Sequence, residues 1–211
     1  MSTPPLRWYF DFISPFAYLQ WPKVRALMRT DRVLPVPVVF GAVLDAVGQK
    51  GPAEIPGKRV FTYRHALWRA RQQDIALRFP PAHPFNPIAA LRLCLAAGSN
   101  PHAIDAIFAH LWREGRAGDD AAALRDVGAA LGIDDVAAAI ARAEVKQALR
   151  DNFDAALADG VFGVPSIVAD GEVFWGDDAT PMFEDWRRDP AAFETPAMRA
   201  LKAWPEGVRR G

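Results

Sequence analysis

The sequence predicts an α/β fold carrying an inserted all-helical domain. Three observations point to it. A short aromatic strand near the N-terminus runs straight into a helix-start signal. Residues from about 43 to 158 carry helical patterning throughout. Two short strands joined by a turn signal then follow.

Residues 7–13 (RWYFDFI) are apolar and aromatic, and predict the first strand. Ser14-Pro15 follows at once, a favoured N-cap with proline at the first helical position. Leu19, Val24 and Leu27 fall on one side of a helix ending near Arg29. Residues 33–40 (VLPVPVVF) predict a second strand, and its two prolines place it at an edge or a bulge. In the helical block, starts are expected at Asn86-Pro87, at Asn100-Pro101, and at the aspartates 119–120 and 134–135. Leu124, Val127 and Leu131, and Val145, Leu149, Phe153 and Leu157, have amphipathic spacing. Gly160 stands where it would stop the last helix of the block. VPSIVAD and EVFW predict two strands joined by an Asp170-Gly171 hairpin turn. Thr180-Pro181 opens a short helix, and one more is expected near 196–203. The order β-α-β, helical block, β-β-α is the plan of a thioredoxin-like fold with a helical insertion. Residues 1–42 and 159–211 would form the discontinuous thioredoxin-like domain, and 43–158 the insertion.

Composition narrows the function. The chain has 211 residues, 51% hydrophobic and 24% charged, which suits a folded domain with a sizeable core. Twenty-five basic side chains balance 25 acidic ones, so there is no general attraction to nucleic acid or anionic membrane. The single cysteine, Cys94, excludes an intrachain disulfide, a CxxC redox pair and a CxxC zinc half-site. It lies in the apolar stretch LRLCLAA and is expected to be inert. His65, His83, His102 and His110 have no metal-ligand spacing, so no metal site is expected. No apolar run reaches the ~18 residues of a membrane span. The first ten residues lack a signal-peptide plan, so a cytoplasmic protein is expected.

Ser14 would stand where a helix N-terminus turns backbone N–H groups and positive potential outward. An anion there, a thiolate included, would gain one more hydrogen bond from the hydroxyl; equally, Ser14 would serve as a plain cap. Val164-Pro165, just before a strand, is a candidate cis bond or an ordinary trans one. If cis, it would leave the Val164 backbone free to pair with an extended peptide. Asp177 and Asp178 suit a ligand ammonium group or a helix start. Residues 58–78 carry Lys58, Arg59, Arg64, Arg69, Arg71 and Arg78 against Asp74 alone, whereas 151–189 carry ten acids against two arginines. That basic stretch suits the rim of an anionic substrate site, a solvated face or a subunit interface. Phe61, His65 and Trp68 share one helical face, where His65 reads as a core histidine rather than a base.

Together, YFDFISPFAYL and VFGVPSIVADGEVFWGDD resemble the 2-hydroxychromene-2-carboxylate isomerases, relatives of the kappa-class glutathione transferases and of DsbA-like oxidoreductases. The resemblance covers residues 7–188. It implies glutathione as cofactor, a small aromatic carboxylate as substrate and a homodimer. Ser14 matches the catalytic serine that holds the sulfur as a thiolate. Val164 and Pro165 match a Val-cis-Pro that pairs with the tripeptide backbone. Trp175, Gly176, Asp177 and Asp178 match a segment contacting the γ-glutamyl end, and Lys58 a lysine that reaches the glycine carboxylate. Gln49 stands where relatives carry asparagine, and residues 79–87 would flank the second substrate. Asp177, His65 and Ala179-Thr180 depart from the family pattern. The implied activity is isomerisation of a conjugated aromatic pyruvate by reversible thiolate addition. A kappa-like transferase or peroxidase is the alternative, and a non-catalytic thioredoxin-like binding module a third.

Overall fold

The computed structural model of the chain describes residues 4–201, 203–205 and 207. Strand β1 (Leu6–Phe10) is the centre of the architecture. Trp8 and Phe10 enter one core and Tyr9 another, all three without solvent exposure. A strand buried on both faces needs such an unbroken apolar run. β2 (Val33–Pro37) lies parallel to β1 at the sheet edge, where Pro35 and Pro37 cost fewest ladder bonds. β3 (Ser166–Ala169) runs antiparallel to β1, and β4 (Glu172–Trp175) antiparallel to β3, giving the order β2-β1-β3-β4. At the hairpin tip Asp170 and Gly171 both have positive φ, 48° and 83°, as the expected two-residue turn demands.

Two strands end earlier than the apolar runs suggest. β1 stops at Phe10 rather than 13, because the Asp11 carboxylate takes the N–H of Ile13 (3.1 Å) and the Asp11 carbonyl that of Ser14 (3.1 Å). The chain turns out of the sheet and enters α1 (Pro15–Leu27). β2 stops at Pro37 rather than 40, because the same carboxylate accepts from Phe40 N (2.8 Å), where α2 (Phe40–Ala46) begins.

The helical block continues with α3 (Pro56–Gln72), α4 (Ile88–Ala96), α5 (Pro101–Phe108), α6 (Arg125–Ala130), α7 (Val136–Ala141) and α8 (Ala143–Ala158). Asn100 and Asp135 cap α5 and α7 as expected, accepting from Ala103 N (3.0 Å) and Ala138 N (2.9 Å). The start expected at 119–120 falls later: Asp120 captures Ala123 N in a turn, and α6 opens only at Arg125. Val145 and Leu149 of α8 are buried, whereas Leu157 is 37% exposed. α9 (Thr180–Arg188) and α10 (Pro196–Leu201) follow the hairpin. The last helix is expected near 196–203, and of that stretch residue 202 lies outside the described set.

Sheet and helical block share one core. Trp8 stacks on Phe10 with ring centroids 4.2 Å apart, and Phe12 meets Phe108 of α5 at 4.7 Å. The loop that leaves β1 is therefore gripped from the helical side. No helix among the described residues is long and apolar enough to cross a membrane.

Candidate active site

Ser14 is the N-cap of α1 and is 7% exposed. Its Oγ accepts the N–H of Ala17 at 3.3 Å. A hydroxyl has one proton to donate as well as lone pairs. Among the described residues that proton has no acceptor. The α1 N-terminus adds its positive end, and Pro15 removes one competing N–H.

Register brings the C-terminal motif to the same place. Tyr9 pairs with Ser166, so Pro165 stands level with Phe10 at the end of β1 from which Ser14 follows. The Val164–Pro165 bond is cis. Val164 is buried at 6% exposure, yet among the described residues its backbone N–H and C=O take no hydrogen bond. An extended peptide laid beside Val164 could pair with both. The Pro165 carbonyl accepts from Gly176 N (2.8 Å), which ties the end of β4 to the same spot.

Two glycines shape this corner. A Cβ on Gly163 would come within 2.5 Å of Trp175 Nε1, so only glycine lets the indole lie so close to the chain. Trp175 is 53% exposed, with its other edge against Phe162. Gly176 has φ 100°, which L side chains rarely adopt, and a Cβ there would stand 2.5 Å from Asp178 Oδ1. That turn separates the two neighbouring aspartates. Asp178 is exposed.

Asp177 is placed differently from the ligand-facing position expected of it. It is 1% exposed and saturated by protein donors: Lys23 Nζ (2.7 Å), Arg69 Nε (3.0 Å) and Nη2, and Gln73 Nε2 (3.0 Å). It joins α1, α3 and the turn at 177–179 rather than facing outward. Lys58, in the first turn of α3, and Gln49, after α2, are exposed. Among the described residues neither side chain makes a hydrogen bond or ion pair, and the structure does not join them to Ser14. The basic stretch divides in the same way. Arg69 serves Asp177 and Arg59 the His83 carbonyl, while Lys58, Arg64 and Arg71 stay exposed.

The α3 face of Phe61, His65 and Trp68 is not core. Phe61 is 69% and Trp68 47% exposed, and His65 is half-buried against Phe16 of α1 (5.4 Å). Cys94 is fully buried, and burial pushes its thiol up to about 12.

Three residues that the sequence patterns did not single out hold the Ser14 loop. Trp112 Nε1 donates to the Phe12 carbonyl (2.7 Å), and His83 Nε2 meets the Ile13 carbonyl (2.8 Å). Asp11 is the third, and the one available signal was an acid inside an otherwise apolar strand. With no cation against it among the described residues, burial raises its carboxyl from 3.8 to about 7, although backbone N–H donors oppose the shift. An acid whose folded pKa is raised binds its proton more tightly when folded. Its contribution to stability therefore falls as pH rises from 3.8 to about 7. Asp11→Asn is expected to flatten that part of the profile of urea midpoint against pH. An unchanged slope would refute the burial of a titrating group there.

A model of the DSBA-like thioredoxin domain matches residues 6–186. A 2-hydroxychromene-2-carboxylate isomerase from Sphingobium xenophagum is 28% identical over 195 residues, covering 89% of this chain and 100% of the relative. A glutathione S-transferase kappa 2 from Caenorhabditis elegans is 25% identical over 209 residues, covering 88% of this chain and 92% of that one. A solved structure of a 2-hydroxychromene-2-carboxylate isomerase has the same fold, with a TM-score of 0.75 at 21% identity over 90% of this chain and 97% of that one. With a match from the first strand to the helix after the hairpin, and with a strand order and connections to fit it, the chain belongs to the DSBA-like thioredoxin domain family.

Proposed function

We propose that this chain is a glutathione-dependent isomerase of a conjugated aromatic pyruvate, of the 2-hydroxychromene-2-carboxylate type. The observation that carries the proposal is the juxtaposition, at one end of the sheet, of a Ser14 hydroxyl proton and a Val164 backbone that have no partner among the described residues. The residues present fit a small thiol peptide: a donor for sulfur, a strand edge for the peptide, and an exposed carboxylate on Asp178 for an ammonium group. Lys58 would take a carboxylate of the peptide, and Trp175 would cover its side. When bound, glutathione supplies a nucleophilic sulfur that adds reversibly to an electron-poor double bond. Ser14 and the α1 N-terminus would hold that sulfur in its anionic form at neutral pH. An ordinary thiol has a pKa of ~8.5, and one unit of lowering requires ~1.4 kcal/mol of preference for the anion.

The substrate carboxylate would find Arg64 and Arg71 on the exposed side of α3. That helix also turns Val60, Phe61, Leu67 and Trp68 outward, the face a second copy would cover in a homodimer. The similarity to a kappa-class transferase favours one second reading, a transferase or peroxidase using the same sulfur. The test is glutathione turnover with aryl pyruvates and with general electrophiles. An isomerase returns glutathione unchanged with every substrate molecule. Net loss of glutathione to a conjugate or disulfide would replace the isomerase by the second reading, and failure to bind millimolar glutathione would remove both.

A further inference from the structure

The loop before Ser14 is held by a chain of hydrogen bonds that runs in one direction. His83 Nε2 lies 2.8 Å from the Ile13 carbonyl. A carbonyl only accepts, so Nε2 carries the proton. In a neutral ring Nδ1 is then an acceptor. Its neighbour is the Tyr63 hydroxyl, at 2.9 Å. That hydroxyl has one proton and two acceptors in reach, Nδ1 and the His83 carbonyl (2.8 Å). The carbonyl is already served by Arg59 Nη2 (2.7 Å), and Arg59 Nε donates to the Tyr63 oxygen (3.1 Å). The arrangement that satisfies every group is Arg59 to Tyr63, Tyr63 to His83, and His83 to Ile13.

The surroundings favour the neutral ring. Phe79 and Phe85 meet His83 edge-on from its own segment, and Trp112 does so from the far side. Burial lowers the His83 pKa and Arg59 lowers it further, against the opposing pull of the Ile13 carbonyl. The charged and titratable groups facing it are Arg59 and Tyr63, both on α3. Trp112 holds the preceding carbonyl, that of Phe12. Two successive carbonyls ahead of Ser14 are thus each fixed by a ring N–H from the helical block.

We propose that His83, locked as its Nε2–H tautomer by Tyr63 and Arg59, is a positioning residue for Ser14. It acts through the Ile13 carbonyl and transfers no proton itself, because both of its ring nitrogens are engaged within the protein. The inference rests on the assignment of Ser14 as the sulfur-holding group.

The experiment uses the free protein first. Nitrogen-15 spectra of the His83 ring are expected to show the Nε2–H tautomer at neutral pH, with a midpoint below that of an ordinary histidine. Tyr63→Phe keeps the packing but removes the donor to Nδ1, and is expected to move the Nδ1 resonance and to leave the Ile13 carbonyl alone to hold the tautomer. His83→Gln can still donate to Ile13, and should leave the Ser14 amide and Ile13 carbonyl resonances near their wild-type positions. His83→Leu should shift both. With glutathione and substrate, His83→Leu is expected to lower kcat about tenfold with KM within about twofold, and His83→Gln to restore most of the loss. A ring that titrates near its ordinary pKa in the wild type overturns the proposal. So do equal effects of Leu and Gln on the Ser14 resonances. The resonance tests need no glutathione. A wild type that fails to bind it would therefore sink the functional reading by a result separate from these.

Discussion

Ser14→Ala should raise the pKa of glutathione's thiol in the complex by at least one unit and cut turnover at neutral pH tenfold or more. The substitution deletes the Ser14 hydroxyl at the α1 N-terminus and leaves the helix end in place. A hydrogen bond to a charged group contributes about 1.5–3 kcal/mol, and one pKa unit corresponds to ~1.4 kcal/mol. Once the thiol pKa passes 7, the thiolate fraction at pH 7 falls almost tenfold per further unit, and the rate follows it. Loss of a cap also costs stability, typically about 1 kcal/mol. Here the bond from Ala17 N to Ser14 Oγ is long at 3.3 Å, so the cost belongs at the lower end of the range. Thiolate absorbance against pH reads the first effect and urea unfolding the second. A fall in stability with an unmoved thiol pKa would leave Ser14 as a helix cap and nothing more.

How much of this was legible in the chain depended on the range of each interaction. Ser14-Pro15 as a helix start, Asp170-Gly171 as a hairpin and the prolines of β2 as an edge signal are all local. The residue and its neighbours decide the backbone there, and each element formed as read. The ends of β1 and β2 were misplaced by three residues each. One carboxylate, Asp11, captures N–H groups from both Ile13 and Phe40, and the second lies 29 residues away. For His83 the sequence offers a lack of metal spacing and a place in the segment 79–87, but not its partner at Ile13, 70 residues distant. The α3 aromatic face had the right period for a core stripe. Periodicity identifies a shared face and not what covers it, and here Phe61 and Trp68 face solvent. The two aspartates after Gly176 looked equivalent. Their separation depends on a positive φ and on cations from two other helices, and no pattern within GDD contains either.

That separation gives the second large effect. Asp177→Asn should destabilise the fold by about 3 kcal/mol, and Asp178→Asn by less than about 0.5 kcal/mol. Asp177 is buried with Lys23 and Arg69 against it, and breaking such a pair strands the remaining charges. The cost lies at the low end of the usual range for buried pairs. Lys23 and Arg69 keep 31% and 22% exposure, so water screens them once the carboxylate is gone. For a chain of this size the change corresponds to a fall in Tm of about 6–12 °C. Glutathione affinity should order the two variants the other way. Asp178→Asn removes the exposed carboxylate proposed to meet the ammonium group, and is expected to weaken binding about tenfold at unchanged Tm. Asp177→Asn, measured well below its lowered Tm, should bind within a few-fold of wild type. The converse pattern, a stable Asp177→Asn that no longer binds, would mean that the Lys23–Arg69 cluster opens to admit the ligand. The γ-glutamyl end would then sit between α1 and α3 instead of at the exposed turn after β4.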